Sequence, residues 1–316
     1  ALSPSGGDAG EPRDAGIAPL DAGAAGEAGA GASMRDGGTV AGDAGPAERV
    51  DAGAASVGDG GPSGASCPAS STAPTMVQIH AGSYTSGPQT FRWGNFCIDS
   101  TEVTRAQYAA WLGTRPSAAE QPEECGWNTS FEPACGRGST IDIERGGAVW
   151  PPREREDHPI VCVDWCDALA FCAAHGRTLC GDGYGGLLSE EGFGSDPRSF
   201  AHNMVCTSGG RAELDVTGCN IPPADVPDPS GDTRPVGSSA CEPALSEWAG
   251  VFDLVGNVQE WVYSSAAPVG PPERHRVGRH GGNWYFHGLH TGSCWTHGGS
   301  TRSARDVLTG FRCCAF

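Results

Sequence analysis

The sequence predicts an irregular α+β domain with two main helices, short strands and long disulfide-stapled loops, carried behind a separate N-terminal segment. Three observations point there. Composition breaks near residue 66, all fourteen cysteines lie beyond that break, and the apolar period alternates between that of a strand and that of a helix.

Residues 1–66 repeat Asp-Ala-Gly at Asp8, Asp14, Asp21, Asp43 and Asp51, and Asp-Gly-Gly at Asp36 and Asp59. The intervals are irregular, which marks low complexity and not a structural repeat. Seven Asp, three Glu and three Arg give this segment a charge of −7, so the chain total of −18 leaves −11 for residues 67–316. A Gly-, Ala- and Asp-rich segment buries too little apolar surface to offset chain entropy. Residues 1–66 are therefore read as a disordered tether, and residues 67–316 as one domain long enough to enclose a core.

The first strand signal is "MVQIHAGSYTSG", which alternates apolar and polar residues and then turns on glycine, as a hairpin does. "NFCIDSTEV" supplies a second short strand. Thr104 and Gln107 form a capping-box pattern that opens a helix over Arg105–Leu112. The clearest helix lies in "VDWCDALAFCAAHG": Asp164 caps it, Trp165, Leu169 and Cys172 share a face, and Gly176 suits its end. Beyond Arg177 the chain is rich in Gly and Pro, with short apolar pieces and no further long helix signal. Loops of that extent are costly unless crosslinked.

The cysteines supply the crosslinks. Zinc knuckles need paired thiolates at short repeated spacing, whereas these are scattered and even in number, as in a disulfide framework. Disulfides require an oxidising compartment, so the protein is expected to be exported: periplasmic, cell-surface or extracellular, with a lipid-anchored form included. The numbering opens without a basic and apolar leader, which under this reading has been removed. No apolar run approaches the ~20 residues that span a bilayer. All 20 basic residues are Arg in an acidic chain, and nothing resembles the basic face that nucleic acid demands. The partner expected is a protein or a small-molecule ligand, with the tether reaching to a surface.

Six segments occur in order: "MVQIHAGSY", "FCIDSTEVTRAQYAAWL", "HPIVCVDWCDALAFCAAHGRTLC", "GVFDLVGNVQEWV", "RHGGNWY" and "TGFRCC". Together they resemble the formylglycine-generating enzyme, or sulfatase-modifying factor, family, whose fold is C-type-lectin-like. Where that family has "RLPTEAEWE", this chain reads "TLCGDGYGGLLSEEGF". The resemblance implies the crosslinks Cys172–Cys313 and Cys206–Cys294. Nearness in sequence suggests Cys219–Cys241, Cys125–Cys135 and Cys166–Cys180, while Cys67, Cys97, Cys162 and Cys314 have no pairing legible in sequence.

The resemblance also implies calcium. A hard cation wants carboxylates mixed with backbone carbonyls. Asp253, the carbonyls of Gly256 and Val258, and Glu260 match one family site. Asn220, the Ile221 carbonyl, Asp228 and the Ser230 carbonyl match a second. The competing reading of "DLVGNVQEW" is a buried turn whose carboxylates are hydrogen-bonded within the protein.

Formylglycine formation in the family uses copper held by two thiolates, which lie between the Gly-Gly turn and the position of Cys294. Here that stretch, "YFHGLHTGS", has no Cys, so copper is not expected. Asn283, Trp284, Phe286, His287, His290, Trp295, Arg302 and Arg305 are the candidate ligand groove, set against ordinary core packing for the aromatics. The expected function is a non-catalytic exported binding module. Its alternatives are a copper-dependent formylglycine-generating oxidase acting on a sulfatase Cys and, behind that, an oxidase with a His-bound metal.

Overall fold

The computed structural model describes residues 66–135, 150–152, 154–189, 200–222, 231–265, 270–285 and 292–316. The expected hairpin is β2 (Gly82–Ser86) against β3 (Gln89–Trp93), preceded by β1 (Met76–Ile79). β4 (Phe96–Asp99) is buried along its whole length, because it lies between two other strands.

The capping box at α1 (Arg105–Gly113) is complete: Gln107 N–H donates to Thr104 Oγ1 at 3.2 Å, and Thr104 N–H donates to Gln107 Oε1 at 2.8 Å. α2 (Trp165–Ala174) carries a second box, between Asp164 and Asp167. Gly176 follows its C-cap in the left-handed region at φ 69°. A third helix, α3 (Ala201–Cys206), has no counterpart in the sequence signals.

The remaining strands are β5 (Thr178–Leu179), β6 (Leu188–Ser189), β7 (Gln259–Trp261), β8 (Ser264–Ser265), β9 (Arg276–His280), β10 (His297–Thr301), β11 (Thr309–Phe311) and β12 (Cys313–Ala315). Among the described residues they form two four-stranded sheets, in the orders β1-β4-β12-β5 and β10-β9-β7-β11, besides the β2-β3 hairpin and a β6-β8 pair. β12 is antiparallel to both of its neighbours, with Cys314 opposite Ile98 on β4 and opposite Thr178 on β5.

One core cluster joins α1, α2 and β11 through aromatics. Phe171 lies 5.8 Å from Tyr108, 5.5 Å from Trp111 and 5.4 Å from Phe311, ring centre to ring centre. Such edge-on and offset pairs add to the area they bury. A second cluster sets Ile79, Phe96 and Ile98 against Met204 of α3 and Leu254.

All fourteen cysteines are bonded in seven disulfides. Cys172–Cys313, Cys206–Cys294 and Cys219–Cys241 are three of them. Two expected pairings are replaced. Cys125 bonds Cys166 in the first turn of α2, and Cys135 bonds Cys162 instead of Cys125. Cys180 bonds Cys314, and Cys67 bonds Cys97.

The reason is spatial. Side chains alternate along a strand, so Cys313 and Cys314 leave β12 on opposite faces, one toward α2 and the other toward the loop after β5. Nearness in sequence says nothing of that. A peptide map under non-reducing conditions should recover Cys125–Cys166, Cys135–Cys162 and Cys180–Cys314. Replacing Cys172 and Cys313 together by Ser, which opens a span of 141 residues, should lower the unfolding free energy by about 2–5 kcal/mol, read from the urea midpoint.

Candidate functional site

The segment Asp253–Trp261 is a contorted turn that feeds β7. Asp253, Gly256 and Asn257 all have positive φ, at 56°, 85° and 52°. At Gly256 a β-carbon would sit 2.5 Å from the Asn220 carbonyl oxygen, so only glycine allows the close approach.

Asn257, the residue type that tolerates this conformation best after glycine, is the hub. Its Nδ2 donates to Glu102 Oε1 at 3.0 Å and to the Arg234 carbonyl at 3.3 Å. Its Oδ1 accepts from Arg234 N–H at 2.9 Å and from Asn220 Nδ2 at 3.1 Å. Backbone bonds complete the tie, from Asn257 N–H to the Asn220 carbonyl and from Trp284 N–H to the Asn257 carbonyl.

Around this hub lie four buried carboxylates: Asp99, Glu102, Asp253 and Glu260. Glu260 takes a two-pronged bond from Arg312, Nε to Oε2 and Nη2 to Oε1, each at 2.7 Å. Arg312 also donates to the carbonyls of Asp99 and Phe252. Asp99 accepts from Arg177 Nη1 at 2.5 Å and from Cys313 N–H at 2.8 Å. Asp253 accepts from Gly237 N–H at 2.6 Å and from the Ser239 hydroxyl.

Glu102 Oε2 is buried with no partner among the described residues. Burial lifts Asp99 to about 7 against the pull of Arg177. It also drives Glu102 well above the usual carboxylate range, and the neighbouring Asp253 charge adds to the rise. Four carboxylates thus face two guanidinia in a dry interior, an arrangement that calls for a further positive charge or a proton.

Beside Glu260 stands His202, fully buried, its Nε2 3.8 Å from Glu260 Oε2. Burial and the Arg312 charge hold it neutral, down at about 3. His280, ring centre 5.5 Å away, is fixed through Nδ1 to Asn203 Oδ1 at 2.9 Å. Among the described residues no three His, Cys, Asp or Glu side chains converge as a metal centre.

Of the eight residues expected to line a groove, five are described. Asn283 and Trp284 are buried, Trp284 among Val161, Cys162, Val258, Val307 and Leu308. Trp295 is half-buried and donates from Nε1 to Glu213 at 2.6 Å. The Arg302 guanidinium lies over the Trp165 ring, 5.0 Å from its centre. Arg305 grips the start of α2, with Nη2 2.7 Å from Asp164 and 3.0 Å from Asp167. Trp284 is therefore a core residue, and the two arginines are spent on α2. Phe286, His287 and His290, like Asp228 and Ser230 of the second calcium set, lie outside the described residues. Asn220 of that set donates to Asn257 and to the Asp232 carbonyl.

With this geometry in view, residues 63–315 match the model of the sulfatase-modifying factor enzyme 1-like domain. The chain belongs to the formylglycine-generating enzyme family. The bovine formylglycine-generating enzyme (Bos taurus) is 24% identical over 293 residues, an alignment covering 76% of this chain and 74% of that protein. A mouse relative (Mus musculus), the inactive C-alpha-formylglycine-generating enzyme 2, is 30% identical over half of each chain, 51% and 50%. The solved structure of PvdO from Pseudomonas aeruginosa shares the fold, with a TM-score of 0.50 at 20% identity over 78% of this chain and 95% of its own. The seven disulfides are consistent with an exported family member. No described helix is long and apolar enough to cross a membrane.

The Arg305 clamp generates a prediction. Burial and the Asp164 charge raise Asp167 to about 8, against the pull of Arg305. The folded state then holds that proton more tightly than the unfolded chain between pH 4 and 8, and stability must fall as pH rises through that window. Wild type should accordingly unfold at lower urea at pH 8 than at pH 5. Asp167→Asn, which cannot titrate, should show a clearly smaller difference.

Proposed function

We propose that this chain is an exported, non-catalytic binding module that keeps the formylglycine-generating enzyme fold without its oxidase chemistry. The observation that carries this reading is the state of the sulfur. Oxidation of a substrate Cys in this family runs through copper bound by two thiolates, and soft thiolates are what suit that ion. The stretch that would supply them, residues 285–293, contains no Cys. All fourteen cysteines of the chain are used in disulfides that staple the fold. A relative whose name declares it inactive is compatible with the same outcome. Residues 1–66 then serve as the stalk that carries the module from a surface.

The test counts thiols and looks for product. The purified full chain, unfolded without reductant, should titrate no free thiol. With copper(I) and oxygen it should form no aldehyde on a Cys peptide taken from a sulfatase. Aldehyde formation, or tight copper binding by the folded protein, would establish the oxidase reading in its place.

The same reading includes calcium at the Asp253–Glu260 turn. What supports it is the surplus of buried negative charge and the orphaned Glu102 oxygen described above. Each carboxylate oxygen keeps a second lone pair after its hydrogen bond, so Asp253 and Glu260 retain capacity for a cation, joined by the Gly256 and Val258 carbonyls. The ion would serve as a structural charge and take no part in chemistry. Calcium should raise the melting temperature, and chelation should reverse the gain. Glu260→Gln should shrink it. A melting temperature indifferent to exhaustive chelation would hand the surplus charge to a proton on Glu102.

A further inference from the structure

We propose that the cavity beside β12, on the sheet that does not carry the Asp253–Glu260 turn, binds a neutral saccharide ring. The cavity has a volume of about 800 Å³ and lies between the loop after β5, the β3–β4 turn and the residues around Ser66 and Pro68. That is the size range of small-ligand sites. None of its lining residues belongs to the turn or to the candidate groove. The inference deepens the reading of a binding module by giving it a ligand class, and it rests on separate residues.

The loop that walls the cavity is "CGDGYGG", where this chain departs from the family pattern. It is held rigidly. Asp182 Oδ1 accepts from the N–H groups of Tyr184 and Gly186, each at 2.8 Å, and Gly185 N–H donates to the Asp182 carbonyl at 3.1 Å. Gly94 N–H donates to the Gly183 carbonyl at 3.0 Å, and Cys180 is bonded to Cys314. So much fixing displays one ring: Tyr184 is 62% exposed at the apex.

Phe316, which also lines the cavity, stacks on the buried Phe96 at 5.6 Å and is 47% exposed. A β-carbon on Gly185 would come 2.7 Å from the Phe316 ring, so glycine there lets that ring pack against the loop that carries Tyr184. Ordering exposed aromatic rings in advance lowers the entropy lost when a ligand stacks on them.

The polar lining specifies what kind of ligand. Arg177 is the only charged side chain in it, and Asp99 neutralises that charge at 2.5 Å. Two carbonyls, of Pro68 and Pro74, occupy its other donors, and only the buried Nε is without a partner among the described residues. An anion would find that charge already taken, and no described side chain of the lining carries a negative charge to meet a cation. A wholly apolar ligand would strand the amides of Gln78 and Asn95 and the Thr178 hydroxyl, at the cost of leaving polar groups unpaired. Asn95 turns its oxygen to Ala81 N–H at 2.9 Å, which presents its NH₂ as a donor. Two aromatic faces and a set of neutral donors match a ring that has a C–H face and a hydroxyl edge.

The test uses the full chain and saturation-transfer NMR with a panel of neutral sugars: glucose, galactose, mannose, N-acetylglucosamine and their short oligomers. At least one should bind. Tyr184→Ala should weaken that sugar about tenfold or more, as removal of a stacking ring does, with the melting temperature unchanged. Asn95→Ala should weaken it less, and Phe316→Ala should act like Tyr184→Ala. Tyr184 is solvent-facing, so its variant stays informative even if Phe316→Ala unfolds. No signal from any panel member overturns the proposal. So does binding that survives Tyr184→Ala, or binding confined to charged sugars or to apolar peptides. None of these outcomes alters the thiol count, so failure of the ligand and failure of the non-catalytic reading remain distinguishable.

Discussion

The Glu260–Arg312 ion pair joins the two sheets, and the rest of the fold is arranged around it. Glu260 sits on β7, and Arg312 is the one residue between β11, in the sheet of β7, and β12, in the other sheet. Both are fully buried, and the guanidinium is satisfied further by two backbone carbonyls. A buried pair of this kind is costly to form and costlier to break, because removing one partner strands the other charge at about 3–5 kcal/mol. It works here as a register pin. With Arg312 fixed, Cys313 must face α2 and Cys314 must face the loop after β5, so three consecutive residues place one strand, one helix and one loop.

Local signals were legible in the sequence because they are made by neighbours. The Thr104–Gln107 capping box, the Asp164 cap, the hairpin and the end of α2 at Gly176 each depend on residues no more than a few positions apart. α3 was not legible. All six of its residues are buried, so it has no polar face to give a period, and Phe200 at its N-cap offers no capping side chain. The pairings of Cys125, Cys135, Cys166 and Cys180 were hidden for the opposite reason. They are set by how distant elements dock, across separations as large as 134 residues.

The candidate site divides in the same way. Asp253, Gly256 and Glu260 could be picked out as a turn carrying carboxylates. The partners of that turn could not, since Glu102, the Gly237–Ser239 pair and Arg312 come from three separate segments. Arg302 and Arg305 resembled ligand-binding residues by type and by nearness to aromatics in the chain. In space they serve α2, one stacked on Trp165 and the other bridging the acidic pair at its start. A residue type that dominates binding surfaces is equally suited to closing a helix terminus, and only the fold decides between the two uses.

The Cys67–Cys97 bond has a mechanical meaning. It fastens the point where the chain enters the domain to β4, a strand flanked by β1 and β12. A pull applied at Cys67 would therefore pass through sulfur into an inner strand, and would not unzip β1 from the sheet edge one hydrogen bond at a time. At the far end, β12 is held covalently on both faces. A domain gripped in this way resists being peeled apart strand by strand from either of these points.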